Sequence, residues 1–203
     1  MSQATIRVGV KSSDPADEVR SDRDLVAACL ANDLDHAAFR RLYERYGPEI
    51  LRYLERLLGD RGVAEDALQD SFVRLHRGLK RYDPERPLRP YVFRIAHNVA
   101  IEALRRRARR AKLDPAPLEA IDTVDQAVER NERAALVRAA LAALPAEHRS
   151  VIVLRHTHAL KLREVADALD CTPRTARNRL RAASTLLERE LRRRGIVPEQ
   201  EGL

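Results

Sequence analysis

Apolar residues recur along this chain at helical spacing. After a polar stretch over residues 1–21 without periodicity, Leu25, Val26, Cys29 and Leu30 follow Ser21-Asp22, a pair that reads as a helix start. Over 36–58, Phe39, Leu42, Tyr43, Tyr46, Ile50, Leu51, Leu54, Leu57 and Leu58 keep one helical period. Gly47-Pro48 interrupts it, and proline removes a backbone donor, so a kink or a junction of two helices is expected there. Gly59-Asp60-Arg61-Gly62 reads as a turn. Ala64, Ala67, Leu68, Ser71, Phe72, Leu75 and Leu79 form the core face of a third helix over 63–80. Three prolines between Tyr82 and Pro90 predict a loop. A long helix is expected from about Leu88 to Lys112, with Val92, Ile95, Ala96, Val99 and Ala103 on one side.

The composition then changes. Pro115 and Pro117 open a segment in which Asp114, Glu119, Asp122, Asp125, Glu129 and Glu132 stand against Arg130 alone. Residues 113–130 are therefore an acidic linker, with a helix beginning near Asp125. Beyond it, Ala135-Leu136, Ala139-Ala140 and Ala143-Leu144 mark a helix that stops near Pro145. A second is expected over 147–158, and a short third on Leu162, Val165, Ala166 and Leu169. Asp170-Cys171-Thr172 is a tight turn. Thr172 is a good N-cap and Pro173 a good first helical residue for a last helix running to about Arg194. The fold class is all-α: two small helical domains, 22–112 and 131–195, joined by the linker, with tails over 1–21 and 196–203.

Composition sharpens this picture. Seven glycines and 34% charged residues in 203 favour helices, and 4% aromatics leave the cores to Leu, Ala, Val and Ile. The formal net charge of +7 suits a polyanionic partner. No apolar run approaches the ~20 residues of a membrane span, and the N-terminus lacks the apolar core of a signal peptide. The expected location is the cytoplasm. Cys29 and Cys171 lack metal-ligand spacing and read as small apolar side chains. His156 and His158 read as ordinary surface or boundary residues. No metal, cofactor or catalytic residue is expected, since no phosphate loop, zinc motif or nucleophile–base pair is found.

Two helices joined by a three-residue turn form a helix-turn-helix, whose second helix normally enters the major groove. Ala176, Leu180, Ala183 and Leu187 share one face of that helix. Arg174, Arg177, Asn178 and Arg181 share the opposite one. Arginine pairs bidentately with guanine, and asparagine with adenine. In the first module, Asp66, Gln69 and Asp70 fall at i, i+3, i+4, a stripe that suits a solvated surface.

The two modules in this order resemble bacterial sigma-70 family sigma factors of the extracytoplasmic function group, over about Asp24 to Arg194. The resemblance is carried by AFRRLYERYGPEILRYLERLLGD, VAEDALQDSFVRLHRGL and LRPYVFRIAHNVAIEALRRRARR, then by ALAALPAEHRSVIVLRHTHALKLREVADALDCTPRTARNRLRAA. It implies sigma region two over 22–112 and region four over 131–195. It implies partners in the β′ and β subunits of core RNA polymerase, in promoter DNA and in a cognate anti-sigma factor. Asp66, Gln69 and Asp70 match the polymerase-binding motif. Arg86, Arg89, Tyr91, Arg94, Asn98 and Arg105 are candidates for minus-ten capture and melting. Arg174, Thr175, Arg177, Asn178 and Arg181 are candidates for minus-thirty-five reading. Tyr91 replaces the family's common tryptophan and keeps a π face for stacking. Asp170 replaces the usual turn glycine, and aspartate tolerates the left-handed conformation. Ala182 stands where many members have arginine, so the DNA sequence read is expected to differ. The alternatives are a helix-turn-helix repressor or activator independent of core polymerase, which would not need the acidic stripe, and a partner-sequestering regulator, which would not need the basic face.

Overall fold

A computed structural model describes residues 21–31, 36–113 and 132–196. The expected linker, its helix start near Asp125 and nearly all of both expected tails lie outside the described residues. Among those described there is no strand, and eight α-helices carry the fold.

Helix α1 (Asp22–Ala31) begins as expected. Ser21 and Asp24 cap it reciprocally: the Asp24 N–H donates to Ser21 Oγ at 3.2 Å and the Ser21 N–H to Asp24 Oδ2 at 3.1 Å. Leu25, Val26 and Cys29 are buried, but Leu30, expected in the same stripe, is 41% exposed. Helix α2 (His36–Leu58) runs unbroken through Pro48, so there is no junction of two helices. Pro48 faces outward while Tyr46, Gly47 and Ile50 beside it are buried. Packing on both sides of the proline outweighs the ~3 kcal/mol an interior proline costs. Tyr43 is exposed, although it falls in the helical period, and Phe39 is half-buried edge-on to Phe72.

The expected four-residue turn shrinks to Gly59 and Asp60. Gly59 sits at φ +73°, and Asp60 Oδ1 accepts the Val63 N–H at 2.9 Å, which starts α3 (Arg61–Gly78) two residues early. A 3-10 turn (Leu79–Arg81) ends it. Helix α4 (Leu88–Leu113) takes Pro90 into its first turn, where the missing N–H has no role, so the loop ends at residue 87. Phe93 and Ala100 join its buried face, which is wider than the expected stripe.

The second module comprises α5 (Glu132–Ala142), α6 (Ala146–Ile152), α7 (Leu162–Ala168) and α8 (Pro173–Arg193). A π-helical turn, Val153–Thr157, continues α6. The chain leaves it through Ala159 at φ +52°, a conformation uncommon for alanine. His158, read as a surface or boundary residue, is instead 4% exposed, with its ring against Phe93 and Tyr53 of the first module. Cys29 is buried as read, and Cys171 is half-buried.

The modules pack directly on one another. Helix α4 lies along α7, and α2 touches α5 and α6. The buried side chains of both modules form one continuous core.

Candidate nucleic-acid interface

The geometry of α8 follows from its start. Thr172 Oγ1 accepts the Thr175 N–H at 3.1 Å, Pro173 sets the first turn, and Asp170 supplies the left-handed residue at φ +49°. Ala176 and Ala183 are fully buried, with Leu180 and Leu187 half-buried beside them. That seat turns Arg174, Arg177, Asn178 and Arg181 outward, all four exposed, with Thr175 half-buried at their base. None of the three arginines makes an ion pair among the described residues. Farther along, Arg192 pairs with Glu188 at 2.5 Å and Arg193 with Glu190 at 3.0 Å. Uncompensated positive charge is thus concentrated in the first two turns.

The loop and the start of α4 hold a second group. Tyr82 and Tyr91 lie tilted against each other at 4.8 Å, and the Arg94 guanidinium sits 5.2 Å over the Tyr91 ring. The Tyr82 hydroxyl donates to the Arg86 carbonyl, which folds the proline loop back on itself. Tyr91 is half-buried, and a Cβ on Gly78 would lie 2.5 Å from its hydroxyl. A side chain at 78 would have to displace that hydroxyl. Arg86, Asn98 and Arg105 are exposed, with Arg86 3.6 Å from Asp83.

Arg89 is held from two directions, donating to Glu49 on α2 and to the His158 carbonyl of the second module at 2.6 Å. His158 Nδ1 lies 3.4 Å from the same Glu49 carboxylate. Burial pushes the Glu49 carboxyl up, but hydrogen bonds from His158 and Arg89 outweigh it and hold it down at about 2. Arg94 Nη1 lies 4.0 Å from Asp170 Oδ1. Sequence reasoning missed Glu49 and His158, which lie 109 residues apart and show no spacing signal.

On α3, Asp66 and Gln69 are exposed, while Asp70 is half-buried against Arg74. The Arg74 guanidinium donates to Asp70 Oδ2 at 3.0 Å and to Glu102 Oε2 on α4 at 2.7 Å. The stripe expected on one face is present, with one member tied to the next helix.

Comparison with known proteins decides what this arrangement belongs to. The family description "Sigma-70 region 2" matches residues 42–110, and "Sigma-70, region 4" matches residues 134–187. The ECF RNA polymerase sigma factor SigM of Mycobacterium tuberculosis is 31% identical over 173 residues, covering 85% of each chain. The chain belongs to the ECF RNA polymerase sigma factors. SigW of Bacillus subtilis is 27% identical over 170 residues, covering 78% of this sigma factor and 91% of that one. Among solved structures, CnrH in complex with the cytosolic domain of CnrY is 26% identical, with a TM-score of 0.65, and covers 85% of this chain and 97% of that one. The sigma factor RpoE in complex with the anti-sigma factor NepR from Bartonella quintana shares the fold, with a TM-score of 0.67 at 19% identity over 76% of this chain and 96% of that one. A match outside the helix-turn-helix, over all of α3 and most of α4, counts against a free-standing repressor and against a mere sequestering protein. Among the described residues no helix is long and apolar enough to cross a membrane, and no cluster of metal-ligating side chains is found.

Proposed function

We propose that this sigma factor docks on the β′ subunit of core polymerase through Asp66, Gln69 and Asp70 on α3. It captures and melts the minus-ten element with Arg86, Arg89, Tyr91, Arg94, Asn98 and Arg105. It reads the minus-thirty-five element with Arg174, Thr175, Arg177, Asn178 and Arg181. The region-two module spans residues 22–112, the linker 113–130 and the region-four module 131–195. The protein is cytoplasmic, catalyses no reaction of its own, and answers to an anti-sigma factor, a reading suggested by the structural neighbour RpoE, which was solved in complex with the anti-sigma factor NepR.

The observation that carries this reading is the exposed face of α8. Three arginines without carboxylate partners among the described residues and an asparagine stand together on a helix whose opposite side is locked into the core. Such a helix fits a major groove about 12 Å wide. The test is run-off transcription with purified core polymerase and this chain on a genomic promoter library. Specific start sites that appear only with the chain support the reading, and their absence overturns it. In the same system Asp70→Arg should weaken core binding in a titration while far-UV circular dichroism is unchanged.

A further inference from the structure

The proline loop has no core of its own. Asp83, Pro84, Glu85, Arg86 and Pro87 are exposed one after another, between Tyr82 and Leu88, which are buried. Its shape therefore comes from hydrogen bonds rather than from apolar packing. The Arg86 N–H donates to the Asp83 carbonyl at 3.1 Å, and the Glu85 N–H to Asp83 Oδ1 at 3.0 Å, which closes a turn at the tip. The Tyr82 hydroxyl donates to the Arg86 carbonyl and ties the far side of that turn back to the start of the loop. From α1, Arg23 reaches Glu85 at 2.5 Å, but the two side chains are 66% and 69% exposed, and such surface pairs contribute little. Burial, and secondarily the charges of Asp22 and Asp83, push the Tyr82 hydroxyl up to about 12, so it keeps its proton and remains a donor at neutral pH.

The same side chain sets the neighbouring ring. Tyr91 is half-buried and lies tilted against the Tyr82 ring, with centroids 4.8 Å apart. Its hydroxyl sits over Gly78. Gly78 has φ −80° and ψ −24°, in the right-handed helical region, so its backbone accepts alanine. What position 78 lacks is room: a Cβ there would lie 2.5 Å from the Tyr91 hydroxyl. Glycine at 78 thus answers to Tyr91 and not to the local backbone.

We propose that Tyr82 is a positioning residue of the melting site: its hydroxyl latches the loop that carries Arg86, its ring seats Tyr91, and Gly78 leaves that seat its room, so that loop and ring are fixed before single-stranded DNA arrives. This rests on the reading of the loop and α4 as the minus-ten site. Ordering these groups beforehand removes a cost otherwise met on binding. Tyr82 is 9% exposed and acts through Arg86 and Tyr91 rather than by touching DNA.

The experiment uses holoenzyme, the full chain with core polymerase, on a promoter selected by run-off transcription. Stopped-flow fluorescence of 2-aminopurine placed in the minus-ten element, over a range of holoenzyme concentrations, separates initial binding from isomerisation to the open complex. Tyr82→Phe keeps the ring and removes the latch. It should slow isomerisation about three- to tenfold, what one net hydrogen bond supplies, with initial binding and melting temperature unchanged. Gly78→Ala keeps the latch and crowds the seat, and it should slow isomerisation with initial binding unchanged. If Gly78→Ala loses helix by circular dichroism, Tyr82→Phe alone carries the test, because it preserves the shape of the side chain. A wild-type isomerisation rate in Tyr82→Phe overturns the latch, and the same result in folded Gly78→Ala overturns the seat. A loss shared equally between initial binding and isomerisation overturns the positioning role, since it marks a general structural defect. Tyr91→Ala is the control: if it too isomerises at the wild-type rate, the assignment of the minus-ten site has failed rather than the latch.

Discussion

Charging His97 works against the fold. It lies half-buried on α4 with its Nδ1 2.9 Å from the Tyr53 hydroxyl. Burial, and secondarily the positive charge of Arg179, pushes its pKa down from 6.5 to about 4. A folded pKa below the unfolded one means that the unfolded chain takes the proton first. Stability is therefore full above pH 6.5 and is lost as pH falls toward 4, by ~2 kcal/mol after allowance for its residual exposure. Glu49 adds a separate loss of the same sign, but only between 4.5 and about 2. Urea unfolding at pH 7, 6 and 5 should show the decline in the wild type and a flatter profile in His97→Gln. An equal slope in both would place the proton elsewhere. At this scale the sequence was legible where exposure follows the helical period. Arg177, Asn178 and Arg181 stand out because a basic face opposite an apolar one repeats with the helical period. The partners of Arg89 and Asp70 were not legible. Arg89 meets His158 at a separation of 69 residues, and Asp70 shares Arg74 with Glu102, 28 residues beyond that arginine. No periodicity within one helix encodes such meetings.

Helix starts and stops depend on a few local hydrogen bonds, and these could be read directly. Ser21, Thr172 and Pro173 sit where capping chemistry requires them. Thr172 has a further consequence, because its cap starts the helix proposed to read the promoter. Thr172→Ala should cost ~1 kcal/mol of stability. It should also weaken upstream-element binding by more than the unfolded fraction explains. Thermal melts and DNA titrations on the same samples would separate the two effects, and an unchanged melting temperature would show that the cap is dispensable. Elements were misread where packing decides. Pro48 does not break α2, since the buried residues on either side of it pack against α3 and α4. The π turn after α6 was illegible because it substitutes one hydrogen-bond register for another without changing the apolar pattern of Val151 to Leu154.

Across the whole molecule the charge is divided by task. The exposed run Arg105 to Arg110 and the first turns of α8 are basic, while Arg192 and Arg193 near the end of α8 are paired with glutamates of the same helix. Arg177→Ala and Asn178→Ala should each cost ~1–3 kcal/mol and relax preference at one base position. Arg192→Ala should lower affinity for all sequences alike, or not at all. Selection of a randomised upstream element by holoenzyme at two salt concentrations distinguishes these outcomes. If the selected sequence is the same for wild type, Arg177→Ala and Asn178→Ala, α8 is not the reader. The all-α class and the order of the two modules were legible from helical period, proline placement and the acidic stretch between them. Their mutual packing was not, because the polar contacts that join them, Arg89 to the His158 carbonyl and Arg149 to the Leu57 carbonyl, link residues 69 and 92 positions apart.

That junction joins two parts of one polypeptide. Arg149 and Leu57 are connected through the chain whatever the amount of protein present, so each meets the other at a fixed effective concentration. Promoter DNA and polymerase meet the same surfaces as separate molecules, at concentrations that vary. The share of the sigma factor that they hold follows the free concentration of polymerase and DNA, while the contact between its own modules does not depend on either.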